Sequence, residues 1–247
     1  MATEPVRLRV HIAPVGFEID RITEPAIRMK SDRLWVVANK GKDQAEGFIE
    51  EIQRILSQEK IEIKSRTADI RDLYDVLHTM RMIIEEESNN DIFINVSSGT
   101  KIESIAGMLA SSIFHNLTRI TPYYVIPDHY TDDKPVVTRP ISSGFRSILY
   151  LPDYHIARPR QELIDMLKII NDSQGGKISK RHLIETASDK KLIVAHGKHI
   201  TQSLYASLNT NYLEKLKSLS LINEDKGRRS RTISITDAGR NMLKFLG

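Results

Sequence analysis

Residues 91–112 read DIFINVSSGTKIESIAGMLASS. The period changes within the stretch. Ile92 to Val96 form a short apolar run, as a strand covered on both faces of a parallel sheet requires. An apolar stretch of helical spacing follows. The link is Ser97-Ser98-Gly99-Thr100-Lys101: two hydroxyls, a glycine, a third hydroxyl and a cation. As a turn, this is a tight strand-to-helix connection with a Ser or Thr cap. As a site, it places hydroxyls, a lysine and a helix N-terminus beyond the carboxyl end of a strand, where open parallel sheets bind ligands. Gly99 would let a phosphate or nucleotide edge approach the backbone closely. Both readings fit the residues.

The same alternation runs outward in both directions. Strand-like segments fall at 6–15 (VRLRVHIAPV), 33–39 (RLWVVAN), 61–66 (IEIKSR), 91–96, 119–128 (RITPYYVIPD) and 147–154 (SILYLPDY). Helical patterns lie between them at 18–30, 47–60 and 69–87, the last with Ile70, Leu73, Leu77, Met80 and Ile84 inward. Strands alternating with helices at this spacing predict right-handed crossovers and a largely parallel sheet covered on both faces. Residues 127–140 (PDHYTDDKPVVTRP) suit neither element and read as a surface excursion.

ARPRQ (157–161) reads as a joint, after which the pattern changes. Helices are expected at 160–172, ended by Gly175-Gly176, at 178–187, and within 203–221, with Tyr212, Leu213, Leu216 and Leu219 inward. Residues 221–236 read as a hairpin with a basic turn, and 237–246 as a closing helix with Asp237 as cap. Three helices, a hairpin and a helix make the order of a winged helix-turn-helix. Charge divides at the same place. Residues 156–247 hold 17 Lys+Arg against 9 Asp+Glu, net +8, while the preceding residues total −4. A basic appendage on a mildly acidic body suggests a polyanion partner. A recognition helix around 207–217 would expose Ser207, Asn209, Thr210, Asn211 and Lys215, with Asn suited to adenine and Lys to guanine or phosphate. Lys226, Arg228, Arg229 and Arg231 of the wing are expected on DNA phosphates.

A second strand end supports the site reading of the first. Pro14-Val15-Gly16-Phe17-Glu18-Ile19-Asp20-Arg21 follows the first strand. Gly16 again permits close approach, and Phe17 either stacks on a base or packs in the core. If the fourth strand lies beside the first, both loops open on one crevice. These stretches, GFEIDRI and NVSSGTK, resemble the two signature loops of CARF domains, the CRISPR-associated Rossmann-like folds. The layout of such a domain followed by a winged helix resembles CRISPR-linked transcriptional regulators of archaea. Ser98 stands where that family commonly has glycine. The resemblance implies an α/β fold with a CARF-like Rossmann domain over residues 1–155, serving ligand sensing and dimerisation, and a winged helix-turn-helix DNA-binding domain over 156–247. It further implies a homodimer, a two-fold ligand pocket involving Gly16, Phe17, Glu18, Ser97, Ser98, Gly99, Thr100 and Lys101, and a cyclic oligoadenylate or related nucleotide as ligand. The expected partners are therefore double-stranded DNA, a nucleotide ligand and a second copy.

Enzymatic signals are few. GxGxxG, GxxxxGK[ST], GxSxG and HExxH are absent, and no cofactor is expected. Of the eight histidines, His196 and His199 have a metal-compatible spacing but no third ligand nearby, so no metal site is expected. Asp69, Asp72 and Asp75 read as a solvated helix edge. An enzyme would have to use Ser97, Ser98, Thr100 or Lys101 on a bound phosphodiester, in the manner of a ring nuclease. No run of about 18 apolar residues is present and no signal-peptide core begins the chain, so a cytoplasmic protein away from membranes is expected. With no cysteine there is no disulfide.

Overall fold

The computed structural model describes residues 6–41, 44–131, 139–152, 154–193, 200–226 and 231–247. They form two compact units, Met1–Ala157 and Arg158–Gly247. The expected boundary after residue 155 falls two residues earlier, because the Ile156 N–H bonds to the Ser112 carbonyl of the first unit at 2.9 Å.

The first unit alternates as its periodicities predict. In chain order it has β1 (Arg9–Pro14), α1 (Asp20–Arg28), β2 (Arg33–Asn39), α2 (Glu46–Gln58), β3 (Glu62–Ala68), α3 (Leu73–Glu86), β4 (Asp91–Asn95), α4 (Lys101–Phe114), β5 (Ile120–Ile126), β6 (His129–Tyr130), β7 (Ser142–Ser143) and β8 (Ser147–Tyr150). The six-stranded sheet has the order β3-β2-β1-β4-β5-β8. Strands β1 to β5 run parallel, and only the edge strand β8 is antiparallel. The chain moves outward from β1 to β3, then returns to build on β1's other side. The switch point therefore lies between β1 and β4, where β1's His11 faces Phe93 in register.

Burial explains why the inner strands are nearly all apolar. Ala13, Leu34 and Val36 pack under α1 and α2 through Ile22, Phe48 and Ile52. On α4, a Cβ at Gly107 would meet side-chain atoms of Val96 at 2.9 Å and Ile94 at 3.1 Å. Only glycine lets this helix lie so close to β4.

The second unit contains α5 (Gln161–Asp172), a 3-10 turn (Gln174–Gly176), β9 (Lys177–Ser179), α6 (Lys180–Asp189), α7 (Ile200–Ser207), a π-helical turn (Leu208–Leu213), α8 (Glu214–Ser218), β10 (Ile222–Lys226), β11 (Arg231–Ile235) and α9 (Asp237–Leu246). A three-stranded antiparallel sheet, β10-β11-β9, packs against the helices. Leu167, Ile170, Leu183, Leu208, Leu213, Leu216 and Ile233 form its core. This is a winged helix.

Several local expectations are corrected. The 147–154 strand ends at Tyr150. Ile178 and Ser179 belong to a strand, and their helix begins at Lys180. Ile70 precedes α3, whose N-cap is Asp72, bonding the Tyr74 N–H. Asp75 accepts from the Asp69 N–H and pairs with Lys40, so these aspartates organise a helix start rather than a bare solvated edge. Thr236, not Asp237, caps α9, because its hydroxyl accepts from the Gly239 N–H. The 127–140 excursion begins as strand β6, which pairs with β7. Among the described residues, no helix is long and apolar enough to cross a membrane.

Candidate functional site

The two signature loops meet because β1 and β4 are neighbours. They interlock rather than merely face each other. A Cβ on Gly16 would lie 3.2 Å from the Gly99 Cα. Gly99 has φ +76°, and a Cβ there would sit 2.6 Å from the Pro14 Cβ. Neither position accepts a side chain without moving backbone. Ser98 is almost fully buried and donates its hydroxyl to the Pro14 carbonyl at 2.7 Å. Ser98 thus ties the second loop to the end of β1.

The start of α4 is a full capping box. Thr100 Oγ1 accepts from the Glu103 N–H at 3.2 Å, and Glu103 Oε2 accepts from the Thr100 N–H at 2.7 Å. Glu103 has no solvent exposure. A carboxylate thus already occupies part of the positive end of this helix. The Ser97 hydroxyl donates to Asn95 Oδ1, which also accepts the Ser97 N–H at 2.9 Å. Lys101 is exposed.

The first loop is similarly engaged. Phe17 packs against Phe48 with ring centres 5.4 Å apart, at the edge of the core. Glu18 is buried, accepts from Arg21 Nη1 at 2.9 Å and also takes the Ser142 hydroxyl. Arg21 Nε reaches the Val125 carbonyl at 3.1 Å, and its guanidinium lies 4.8 Å from the Tyr124 ring centre. The Phe17 carbonyl accepts from the Ile141 N–H at 2.9 Å, and Asp20 accepts from the Gly144 N–H at 2.7 Å. Glu18 therefore latches the β6–β7 hairpin beside the crevice.

Sequence reading missed the polar groups beneath the crevice. Asn95 Nδ2 donates to the Arg21 carbonyl at 2.7 Å, joining the floor of one loop to the helix after the other. Tyr123 and His11 follow, with His11 Nδ1 2.9 Å from the Tyr123 hydroxyl. Burial, aided by the Arg9 charge, pushes His11 down to about 3, so its ring is neutral near pH 7. Burial also raises Tyr123 strongly. An asparagine closing an otherwise apolar strand was the visible signal.

In the second unit the helix expected to carry recognition starts by Ile200, earlier than expected, and the residues proposed for it fall on and around the π turn. The cause is legible: Leu204, Leu208, Tyr212 and Leu216 stand four apart. A 3.6-residue helix drifts about 40° per such step. One wider i→i+5 turn cancels much of that drift and keeps all four on the core side. Thr210, Asn211 and Lys215 are exposed, and Asn211 donates to the Ser207 hydroxyl at 3.1 Å. Asn209 instead accepts from the buried Lys180, which lies 3.6 Å from Glu224. Lys226 and Arg231 face each other in the last described rung of the hairpin. Arg228, Arg229, His196 and His199 lie outside the described residues. Among the described residues, no three His, Cys, Asp or Glu gather as metal ligands would.

Residues 9–130 match the family model "HFX_2341_N:-like, N-terminal". Residues 162–247 match the DUF6293 C-terminal winged helix domain. Uncharacterized protein MJ1513 of Methanocaldococcus jannaschii is 27% identical over 240 residues, covering 87% of this chain and 68% of that protein. Among solved structures, Can2 from Sulfobacillus thermosulfidooxidans, in complex with cyclic tetra-adenylate, aligns at 13% identity with TM-score 0.43, over 95% of this chain and 61% of that one. Protein VC1899 from Vibrio cholerae aligns at 11% identity with TM-score 0.42, over 96% of this chain and 64% of that one. This chain thus spans less than two thirds of either solved structure. The sheet order gives the first unit a Rossmann-like fold, whose residues 9–130 match the HFX_2341_N-like model, and residues 162–247 match the winged helix domain of the DUF6293 type.

Proposed function

We propose that the protein is a homodimeric DNA-binding transcriptional regulator whose Rossmann-like domain senses a nucleotide-like anion, with cyclic oligoadenylate as the first candidate. The observation that carries this reading is the meeting of the two signature loops at the sheet's switch point, in a chain whose other unit is a winged helix of net charge +8.

The crevice supports pairing of two copies. In one copy, Glu103 occupies the α4 N-terminus, and Ser98 and Thr100 serve the loop itself. Lys101 and the outer edge of Ser97 are what each copy offers a ligand. An anion needs more positive charge than one such loop supplies, and a two-fold arrangement doubles it. The next turns of α4 carry an apolar strip: Ile105 is 53% exposed, and Ile102 and Leu109 on the same side are partly exposed. Burying that strip against a second copy would bring two sets of loops together. A ring-nuclease reading has less to draw on, because the hydroxyls of Ser97, Ser98 and Thr100 are engaged with Asn95, Pro14 and Glu103.

The test is fluorescence anisotropy on duplex DNA from upstream of the protein's own gene, titrated across salt, with and without a panel of cyclic oligoadenylates. The expected result is tight, salt-steep binding whose affinity one cyclic nucleotide changes. DNA binding indifferent to every nucleotide would remove the sensor half. No DNA binding, with cleavage of a cyclic oligonucleotide, would replace this reading by the enzymatic one.

A further inference from the structure

We infer that the joint arginines, together with the π-turn face of the recognition helix, form a groove that holds the DNA sugar-phosphate backbone. The inference rests on the DNA-binding reading and specifies which surface grips the duplex.

The groove lies wholly within the second unit and measures about 500 Å³. One wall is the start of the unit, with Arg158, Arg160 and Glu162. The other is Asn211, Tyr212 and Lys215. Three cations against one carboxylate give it a net charge of +2. Its volume suits a nucleotide-sized group and exceeds the needs of a single small ion. Chemistry and shape together match a phosphodiester with its sugar. Guanidinium groups fork onto phosphate oxygens, lysine adds a point charge, and the Asn211 amide donates to phosphate or sugar oxygen. The Tyr212 ring supplies an apolar wall, with its hydroxyl already donated to the Leu192 carbonyl.

The π turn makes this groove possible. It holds Tyr212 in the core while leaving Asn211 and Lys215, four residues apart, exposed on the groove wall. Pi-helical turns of this kind are rare and recur at functional sites. Arg160 is the N-cap of α5, where a guanidinium, having donors only, cannot take a helix N–H. The groove assigns Asn211 and Lys215 to the backbone rather than to base edges. It also adds Arg158 and Arg160, which lie outside both the recognition helix and the wing.

The 247-residue chain is titrated by anisotropy across a salt series, on its upstream duplex and on a scrambled duplex of equal length. Arg160→Ala and Lys215→Ala should each lower the slope of log affinity against log salt by about 1 on both duplexes. Glu162→Gln removes the groove's carboxylate and should tighten binding to both, a gain that misfolding cannot imitate. Wild-type binding with unchanged slopes in both alanine variants overturns the groove and leaves the DNA-binding reading standing. Weakened alanine variants with lowered melting temperatures and no gain in Glu162→Gln overturn it as well. A wild-type protein that binds neither duplex ends the DNA-binding reading and the groove with it.

Discussion

His11 sits in the middle of β1 without solvent exposure, stacked on Phe93 at 5.0 Å and bonded to the Tyr123 hydroxyl. Its ring is pushed from 6.5 to about 3 by burial, with the Arg9 charge adding to the effect. Between those values the unfolded chain binds a proton that the folded chain refuses. Stability is therefore full above 6.5 and falls by about 1.4 kcal/mol per pH unit as pH drops toward 3. His11→Phe keeps the ring and removes the titration, so its urea midpoint should change less between buffers on either side of 6.5. An equal change in both proteins would show that His11 does not set the acid sensitivity. At this scale the sequence was readable in part. Gly16 and Gly99 were read as room for a ligand, whereas the structure uses them to let the two loops approach each other. The fates of Phe17, Glu18 and Ser98 were not legible. Their partners, Phe48, Ser142 and Pro14, are 31, 124 and 84 residues away. Spacing along a chain does not reveal which polar group a distant loop will claim.

Elements were legible wherever one period ran without interruption. Parallel strands covered on both faces need near-continuous apolar runs, so β1, β2 and β4 stand out. The direction of β8 did not, because an edge strand's orientation is set by the loop that returns it rather than by its own residues. Helix α9 shows how narrow such errors can be: Thr236 and Asp237 are both good caps, and only geometry chooses. The π turn was not read: the expected inner face was Tyr212, Leu213, Leu216 and Leu219, of which Leu219 is 47% exposed, whereas Leu204 and Leu208 face the core eight and four residues before Tyr212. Deleting Thr210, which is exposed, would respace Leu208, Tyr212, Leu213 and Leu216 to the three-and-four pattern of an ordinary helix. The expected product melts within about 1 kcal/mol of wild type, since the same core residues remain buried. Its DNA affinity should fall, because Asn211 and Lys215 turn relative to the groove's other wall. Circular dichroism and anisotropy separate the two effects. Wild-type affinity in the deletion variant would make the π turn a packing device and nothing more.

On the scale of the molecule, two units of opposite charge character share one chain, and the proposed regulation needs two such chains. A winged helix that touches one half-site gains from its twin through effective concentration. Linked binding of this kind exceeds a single module by about 10²–10⁴-fold when geometry allows both to engage. In the proposed dimer, the apolar strip of α4 is where that link can be cut without touching Lys101 or the loops. Ile105 is exposed and bears no part of the capping box or the loop contacts. Ile105→Glu costs the folded monomer little, because surface substitutions away from special features are worth about 0.5 kcal/mol or less. In a dimer the same change buries an unpaired carboxylate against its twin, which is strongly unfavourable. Sedimentation should therefore find a dimer for the wild type and a folded monomer for the variant. DNA affinity should drop by about 100-fold or more, and any response to a cyclic nucleotide should disappear, because each ligand half-site would face solvent instead of its copy. A variant that stays dimeric would move the interface off α4. A monomer that retains full DNA affinity would mean that one winged helix suffices.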